Sequence, residues 1–226
     1  MPIRKEPFIS EEIYHIYNKT IDSKDVFTNE RHGLLFLDLL KYYRSSKSLV
    51  SHSRLKQLDG RKLSYILKNI KLNTTFRVEI LAYCLMPKHF HILAKQKMDA
   101  GIPILMANTV NSFTKTYNLE NFRKGPLFIP KFKATRIVSG EQLKHVSRYI
   151  HLNPYSSGLV KNKSKLSEYK LSSFVEYNKD NKKSLLSNPR FILNMFNRDF
   201  KNYSSFVVDN AEYQRTLEYA KHVTKW

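Results

Sequence analysis

The chain has 226 residues, 42% of them hydrophobic, which supports one large domain or a catalytic core with an appendage and excludes wholesale disorder. Lysine and arginine total 39 against 19 acidic residues, a net charge of +20, and such an excess points to a polyanionic partner. The lone cysteine, Cys84, rules out an intramolecular disulfide and fits a reducing cytoplasm; the first residues, Met-Pro-Ile-Arg-Lys-Glu-Pro, lack an apolar signal core, and no run reaches membrane-spanning length. The 14 Tyr and 14 Phe scattered among the cations favour single-stranded nucleic acid, whose bases stack on rings; a membrane surface is a lesser home for the charge.

Taken in order, residues 11–20 read as a first strand, rich in β-branched and aromatic side chains. A polar loop follows over 21–29. From Glu30 to Arg44 the apolar spacing is helical, through Leu34, Leu37 and Leu40. The Ser- and Lys-rich residues 45–60 suggest a mobile basic excursion, and Leu63, Ile66, Leu67 and Ile70 a second helix. Residues 79–95 read as two apolar strands meeting at Met86-Pro87-Lys88, because proline cannot donate to a ladder and belongs in the turn. Gly101-Ile-Pro opens a helix carrying Ile104, Leu105, Val110, Phe113 and Tyr117. Residues 125–137 look like an interrupted strand in which Lys131, Phe132 and Lys133 either touch nucleic acid or defend a plain edge strand. Ser139 caps the next helix and Gln142 completes a capping box. That helix should end near Asn153, because a residue before proline is pushed out of the α region. Composition shifts to Lys, Ser and Asn from Gly158 to about residue 183. Helical stretches follow at Pro189–Met195 and Glu212–Val223. The division expected is 1–175 for a catalytic domain and 176–226 for a helical C-terminal extension. There is no internal repeat and, with only 6 glycines, little material for a phosphate-binding loop.

Two spacings carry chemistry. In a strand, alternate side chains share a face, so His89 and His91 point one way and Phe90 and Ile92 the other. Two such imidazoles can converge on one divalent ion, or they can be ordinary half-buried histidines. On the late helix, Tyr149 and Asn153 lie one turn apart on one face, with His145 a turn before Tyr149. A phenol beside a metal-bound phosphate could attack phosphorus and become covalently attached. That exchange of one phosphodiester for another needs no nucleotide triphosphate.

These words together resemble a known family. Ala82-Tyr-Cys-Leu-Met-Pro-Lys-His-Phe-His-Ile-Leu is similar to the signature strand of the single-tyrosine HUH transposases (His, hydrophobe, His). Arg148-Tyr-Ile-His-Leu-Asn-Pro, followed by Ser157-Gly-Leu-Val, resembles the tyrosine helix of their REP-associated branch. Tyr14-His-Ile-Tyr-Asn-Lys resembles that branch's first strand, and Leu127-Phe-Ile-Pro-Lys-Phe-Lys-Ala its basic strand. The likeness spans roughly residues 10–175.

The resemblance implies an α+β fold, a ferredoxin-like antiparallel sheet with packed helices, acting on single-stranded DNA at or beside a hairpin. It implies that His89 and His91 bind Mg²⁺ or Mn²⁺, that Asn153 takes the place of the third ligand, and that Tyr149 takes the 5′-phosphate and leaves a 3′-hydroxyl. Lys19, Lys88, Lys131, Lys133, Arg136 and Arg148 are the candidate DNA contacts. Lys88 stands where the family usually has Asn, and Ile129-Pro130 where many relatives carry a polar residue; both departures bear on DNA contacts rather than chemistry. Monomer and homodimer remain open. So do two other functions: a non-cleaving hairpin-binding module, and a metal hydrolase of small phosphate esters.

Overall fold

The computed structural model describes residues 7–178 and 186–223. Strands β1 (Ile13–Lys19), β2 (Val78–Met86), β3 (His89–Gln96) and β4 (Lys133–Ile137) form one antiparallel sheet in the order β2-β3-β1-β4. The helices are α1 (Glu30–Tyr43), α2 (Gly60–Asn69), α3 (Gly101–Glu120), α4 (Gly140–Ser156), α5 (Phe174–Tyr177), α6 (Pro189–Leu193), α7 (Phe200–Asp209) and α8 (Ala211–Val223). Strand order and chain order together make the ferredoxin-like β-α-β-β-α-β arrangement that the family resemblance implies.

Side-chain alternation divides the core in two. Tyr14 and Ile16 of β1, with Phe90, Ile92 and Ala94 of β3, pack against Phe36 and Leu40 of α1 and Leu105 and Phe113 of α3. On the other face Leu93, Cys84 and Met86 meet Leu143, Ile150 and Leu152 of α4 and Tyr203 and Val207 of α7. A bulge in β2 between Ile80 and Ala82 lets Leu81 and Ala82 both enter this second core before Tyr83 returns to the first. His89 and His91 therefore face α4, while Phe90 and Ile92 face α1 and α3.

The outer edge of β2 is covered by the chain that follows α4. Leu85 N donates to Leu171 O at 2.9 Å, Ser173 N to Tyr83 O at 2.9 Å, and Asn188 N to Ile80 O at 2.8 Å. An open edge would template pairing with another chain, and this strap removes it. His151 ties the same region together from inside. Its Nδ1 lies 2.6 Å from Tyr203 Oη on α7 and its Nε2 2.7 Å from Ser173 Oγ, with no exposure to solvent.

Three expectations are corrected. The helix expected to stop at Asn153 continues to Ser156 with Pro154 inside its last turn. Proline lacks an N–H, yet Leu152 and Tyr155 are buried on either side of it, and that packing outweighs the local preference of Asn153. Residues 45–60 are tied down rather than a loose excursion: Ser45 Oγ and Thr75 Oγ1 are 2.7 Å apart, Tyr42 Oη donates to Val50 O at 2.8 Å, and Leu55 is buried. In the 125–137 segment only Lys133–Ile137 is strand, preceded by an isolated bridge between Thr20 and Phe128; Pro126 and Pro130 cannot donate to a longer ladder. Residues 179–183, the end of the Lys/Ser/Asn-rich run, lie outside the described residues. Among the described residues no helix is long and apolar enough to cross a membrane.

Candidate active site

The start of β3 is held from both sides. Opposite it across β1, Tyr17 pairs with His91 and Lys19 with His89; across β2, Cys84 pairs with His91 and Met86 with His89. The β2–β3 turn is gripped by the loop after β1. Pro87 O accepts from Val26 N at 2.8 Å and Phe27 N at 3.1 Å, and Lys88 O from Thr20 N at 2.8 Å and Thr20 Oγ1 at 3.0 Å. The two imidazoles thus sit on a backbone with little freedom. Their ring centres are 5.0 Å apart with planes at 86°, close enough to share one ion. His91 is buried, and its Nδ1 lies 2.9 Å from His15 Nε2 on β1. Burial lowers the pKa of His89, an effect opposed by the charge of Glu218 and by a hydrogen bond with the Asn153 side chain. Burial alone takes His15 down to about 4. A neutral imidazole is the form that binds a metal.

Helix α4 brings the other two residues. Ser139 Oγ accepts from Gln142 N at 3.1 Å, while Gln142 Oε1 accepts from Val138 N at 2.8 Å, one residue earlier than a standard capping box. From this start the helix aims Tyr149 at the sheet. The half-buried Tyr149 ring stands edge-on to His91 at 5.4 Å between centres and to His15 at 6.0 Å. Asn153 is buried, one turn on. Its Nδ2 donates to Tyr149 O at 2.8 Å, so its Oδ1 is the atom left to accept from His89. The residues read from sequence as catalytic or ligating thus come together: His89, His91, Tyr149 and Asn153.

The candidate cations divide. Lys133 lies opposite Tyr17 and so shares its face, and Lys19 acts electrostatically on His89. Lys88 is exposed in the β2–β3 turn and Lys131 just ahead of β4. Arg136 lies opposite Tyr14, on the other face of the sheet, and is 2.8 Å from Glu12. Arg148 is 2.7 Å from His145 Nδ1 and lies 4.5 Å over the Phe206 ring of α7. His145 is likewise turned to α7, with its ring 6.0 Å from that of Phe206.

A cleft of about 350 Å³ opens beside the phenol, lined by His15, Tyr17, His91, Thr135, Gln142 and Tyr149 among others. Simple alternation along β1 places His15 and Tyr17 on one face. Gln214 of α8, whose Nε2 donates to Tyr149 O at 3.1 Å, and Glu218, one turn further, gave no sequence signal, because only the docking of α8 on α4 brings them here.

The donor set fits a divalent ion of borderline character. Among the described residues no three of His, Cys, Asp and Glu gather as a cage. The imidazoles of His89 and His91 and one oriented amide oxygen are nonetheless a partial shell, whose other positions suit water and phosphate oxygens.

Residues 48–153 match the family described as IS200-like transposase, a span holding both histidines, Tyr149 and Asn153. Among solved structures, the fold is similar to that of a REP-associated tyrosine transposase bound to a REP hairpin. The TM-score is 0.52 at 16% identity, over 78% of this chain and 84% of that one. No curated protein matches. The family match supports the family that the sequence resembles, and the structural likeness supports its fold.

Proposed function

We propose that this protein is a metal-dependent single-stranded DNA endonuclease and strand transferase that cuts beside a hairpin through a covalent 5′-phosphotyrosine. The observation that carries this is the Tyr149 ring standing edge-on, 5.4 Å from a His91 ring that is itself 5.0 Å from His89. His89, His91 and Asn153 Oδ1 would hold Mg²⁺ or Mn²⁺, which when bound polarises a phosphodiester and fixes its position. Tyr149 Oη then attacks phosphorus. A P–O bond forms to the phenol oxygen, the bond to the upstream 3′-oxygen breaks, and the phenolic proton is lost as the 3′-hydroxyl gains one. Because one phosphodiester replaces another, a second 3′-hydroxyl can reverse the step and join strands.

A phenol with its ordinary pKa of about 10 needs a route for that proton. The open cleft beside the ring, lined by Thr135 and Gln142 among others, gives that proton a way out to water. Asn153, bonded to the Tyr149 carbonyl, keeps helix and donor set in register. Lys19 and Lys133, on the cleft's face, with Lys88 and Lys131 nearby in the chain, would track the phosphates of the single strand.

The test is incubation with labelled, hairpin-flanked single strands and Mn²⁺ or Mg²⁺, read on a denaturing gel. A covalent protein–DNA band that is lost in Y149F supports the assignment. A band of undiminished yield in Y149F removes Tyr149 as nucleophile. Tight, salt-sensitive binding with no product under either metal leaves a non-cleaving hairpin binder.

A further inference from the structure

We infer that His15 is the positioning residue of the metal centre: through its 2.9 Å contact it holds His91 in the tautomer that presents Nε2 to the ion. The inference rests on the metal-dependent reading above and concerns a residue that reading does not use.

The argument begins with the contact itself. His15 Nε2 faces His91 Nδ1. Two neutral imidazoles joined this way need one N–H and one lone pair, which leaves two assignments. If His15 Nε2 carries the proton, His91 accepts at Nδ1, and its own proton sits on Nε2. Neither nitrogen of His91 then offers a lone pair to an ion. If His91 Nδ1 carries the proton, it donates to His15, and Nε2 of His91 has the lone pair that a metal needs. Ligation by His91 therefore selects the second assignment and fixes His15 as acceptor. The contact rules out Nδ1 of His91 as ligand, because that atom is directed at β1.

The surroundings make this hold firm. His91 is only 6% exposed, so bulk water is a poor substitute acceptor for its Nδ1–H. The two rings lie 5.1 Å apart with planes at 27°. They come from adjacent strands in the middle of the sheet, where Tyr17 pairs with His91 and His15 with Leu93. Ligating histidines commonly donate their second ring N–H to a carboxylate, a carbonyl or water. Here a second, neutral ring from β1 takes that part, and it adds no charge to the cleft. The same ring also borders the phenol, 6.0 Å from Tyr149, so its placement touches both halves of the site.

The experiment uses the full chain with Mn²⁺ alone as probe. H15F keeps a ring of similar size and removes the acceptor; H15Q restores an acceptor oxygen. Mn²⁺ affinity, read from the electron paramagnetic resonance of unbound ion, should weaken about 10- to 100-fold in H15F and recover most of that in H15Q. Long-range ¹H–¹⁵N spectra of metal-free protein should place the His91 proton on Nδ1 in the natural chain and lose that preference in H15F, a change that a packing role would not produce. Equal Mn²⁺ affinity in H15F and the natural chain, where H91A abolishes binding, overturns the inference alone. So does a natural chain whose His91 proton sits on Nε2. If the natural chain shows no Mn²⁺ binding that H91A removes, the metal-dependent reading fails first and takes the inference with it. Should H15F not fold, H15Q and the tautomer of the natural chain still decide.

Discussion

The side-chain amide of Asn153 donates to the main-chain oxygen of Tyr149 at 2.8 Å, so the proposed oxygen ligand is bonded to the proposed nucleophile. One helix turn links the two functions, and Asn153 cannot move without disturbing both. N153A should weaken Mn²⁺ binding at least 10-fold and, by removing a buried hydrogen bond, cost about 1 kcal/mol of stability. Metal titration and denaturant unfolding of the same variant check both effects. Unchanged metal affinity would remove Asn153 from the donor set.

Helix α8 reaches the site from the far end of the chain. Gln214 holds the Tyr149 carbonyl at 3.1 Å, and the charge of Glu218 favours a cationic partner at His89. E218Q should therefore lower Mn²⁺ affinity several-fold at low ionic strength, with the difference shrinking as salt is added. Titrations at two salt concentrations give the answer; a salt-independent loss would point to a direct ligand or a packing change instead.

The buried network at His151 predicts acid sensitivity. Burial lowers its pKa to about 3 from 6.5. Between those values the unfolded chain binds the proton and the folded chain does not, so stability rises with pH there. It is fully present above 6.5 and is lost as pH falls toward 3. Each unit in that window costs about 1.4 kcal/mol, hence about 2 kcal/mol from pH 6.5 to pH 5. H151Q should flatten this part of the profile while lowering stability at pH 7, because Tyr203 and Ser173 lose their shared partner. Denaturant midpoints at pH 7, 6 and 5 would reveal it; parallel profiles for the two proteins would contradict the assignment.

The proposed DNA-contacting face should show in salt dependence. Lys133 shares the face of Tyr17, while Arg136 lies across the sheet with Glu12. Binding of a single-stranded oligonucleotide by K19A and K133A should each lose about 0.7 from the slope of log affinity against log salt, one phosphate contact apiece. R136A should leave the slope unchanged. A loss in R136A as large as in K133A would place DNA on both faces.

The site was legible where a short period fixes geometry. Strand alternation put His89 and His91 together, and helical spacing put Tyr149 over Asn153. What the sequence hid was decided by tertiary packing. The helix ran past Asn153 because Leu152 and Tyr155 are buried around Pro154, which also takes Asn153 out of a fraying end and into a fixed position. Residues 45–60 looked loose because a polar composition concealed Leu55 and the Ser45–Thr75 bond. Helix α7 has its apolar residues Phe200, Tyr203 and Val207 at helical spacing, with Asp199 accepting from Lys201 N as cap, a signal only two turns long. Gln214 and Glu218 lie in a stretch legible as a helix, but nothing local marks its docking beside Tyr149.

The choice of metal follows from the donors. Mg²⁺ prefers oxygen ligands in a near-ideal octahedron and gives up water reluctantly, whereas imidazole suits softer ions. In the proposed site two imidazoles and one amide oxygen would face the ion, and the two rings are held by β1 and by the gripped β2–β3 turn. The rigid part of the site is its nitrogen part, so it cannot rearrange toward an oxygen shell. Mn²⁺ should then support DNA cleavage at a concentration at least 10-fold below that needed for Mg²⁺. Half-saturating concentrations of each ion, measured on one hairpin-flanked substrate, test this. Equal values would mean that phosphate and water oxygens, rather than His89 and His91, dominate the coordination, and H89A should then retain most of its activity in Mg²⁺.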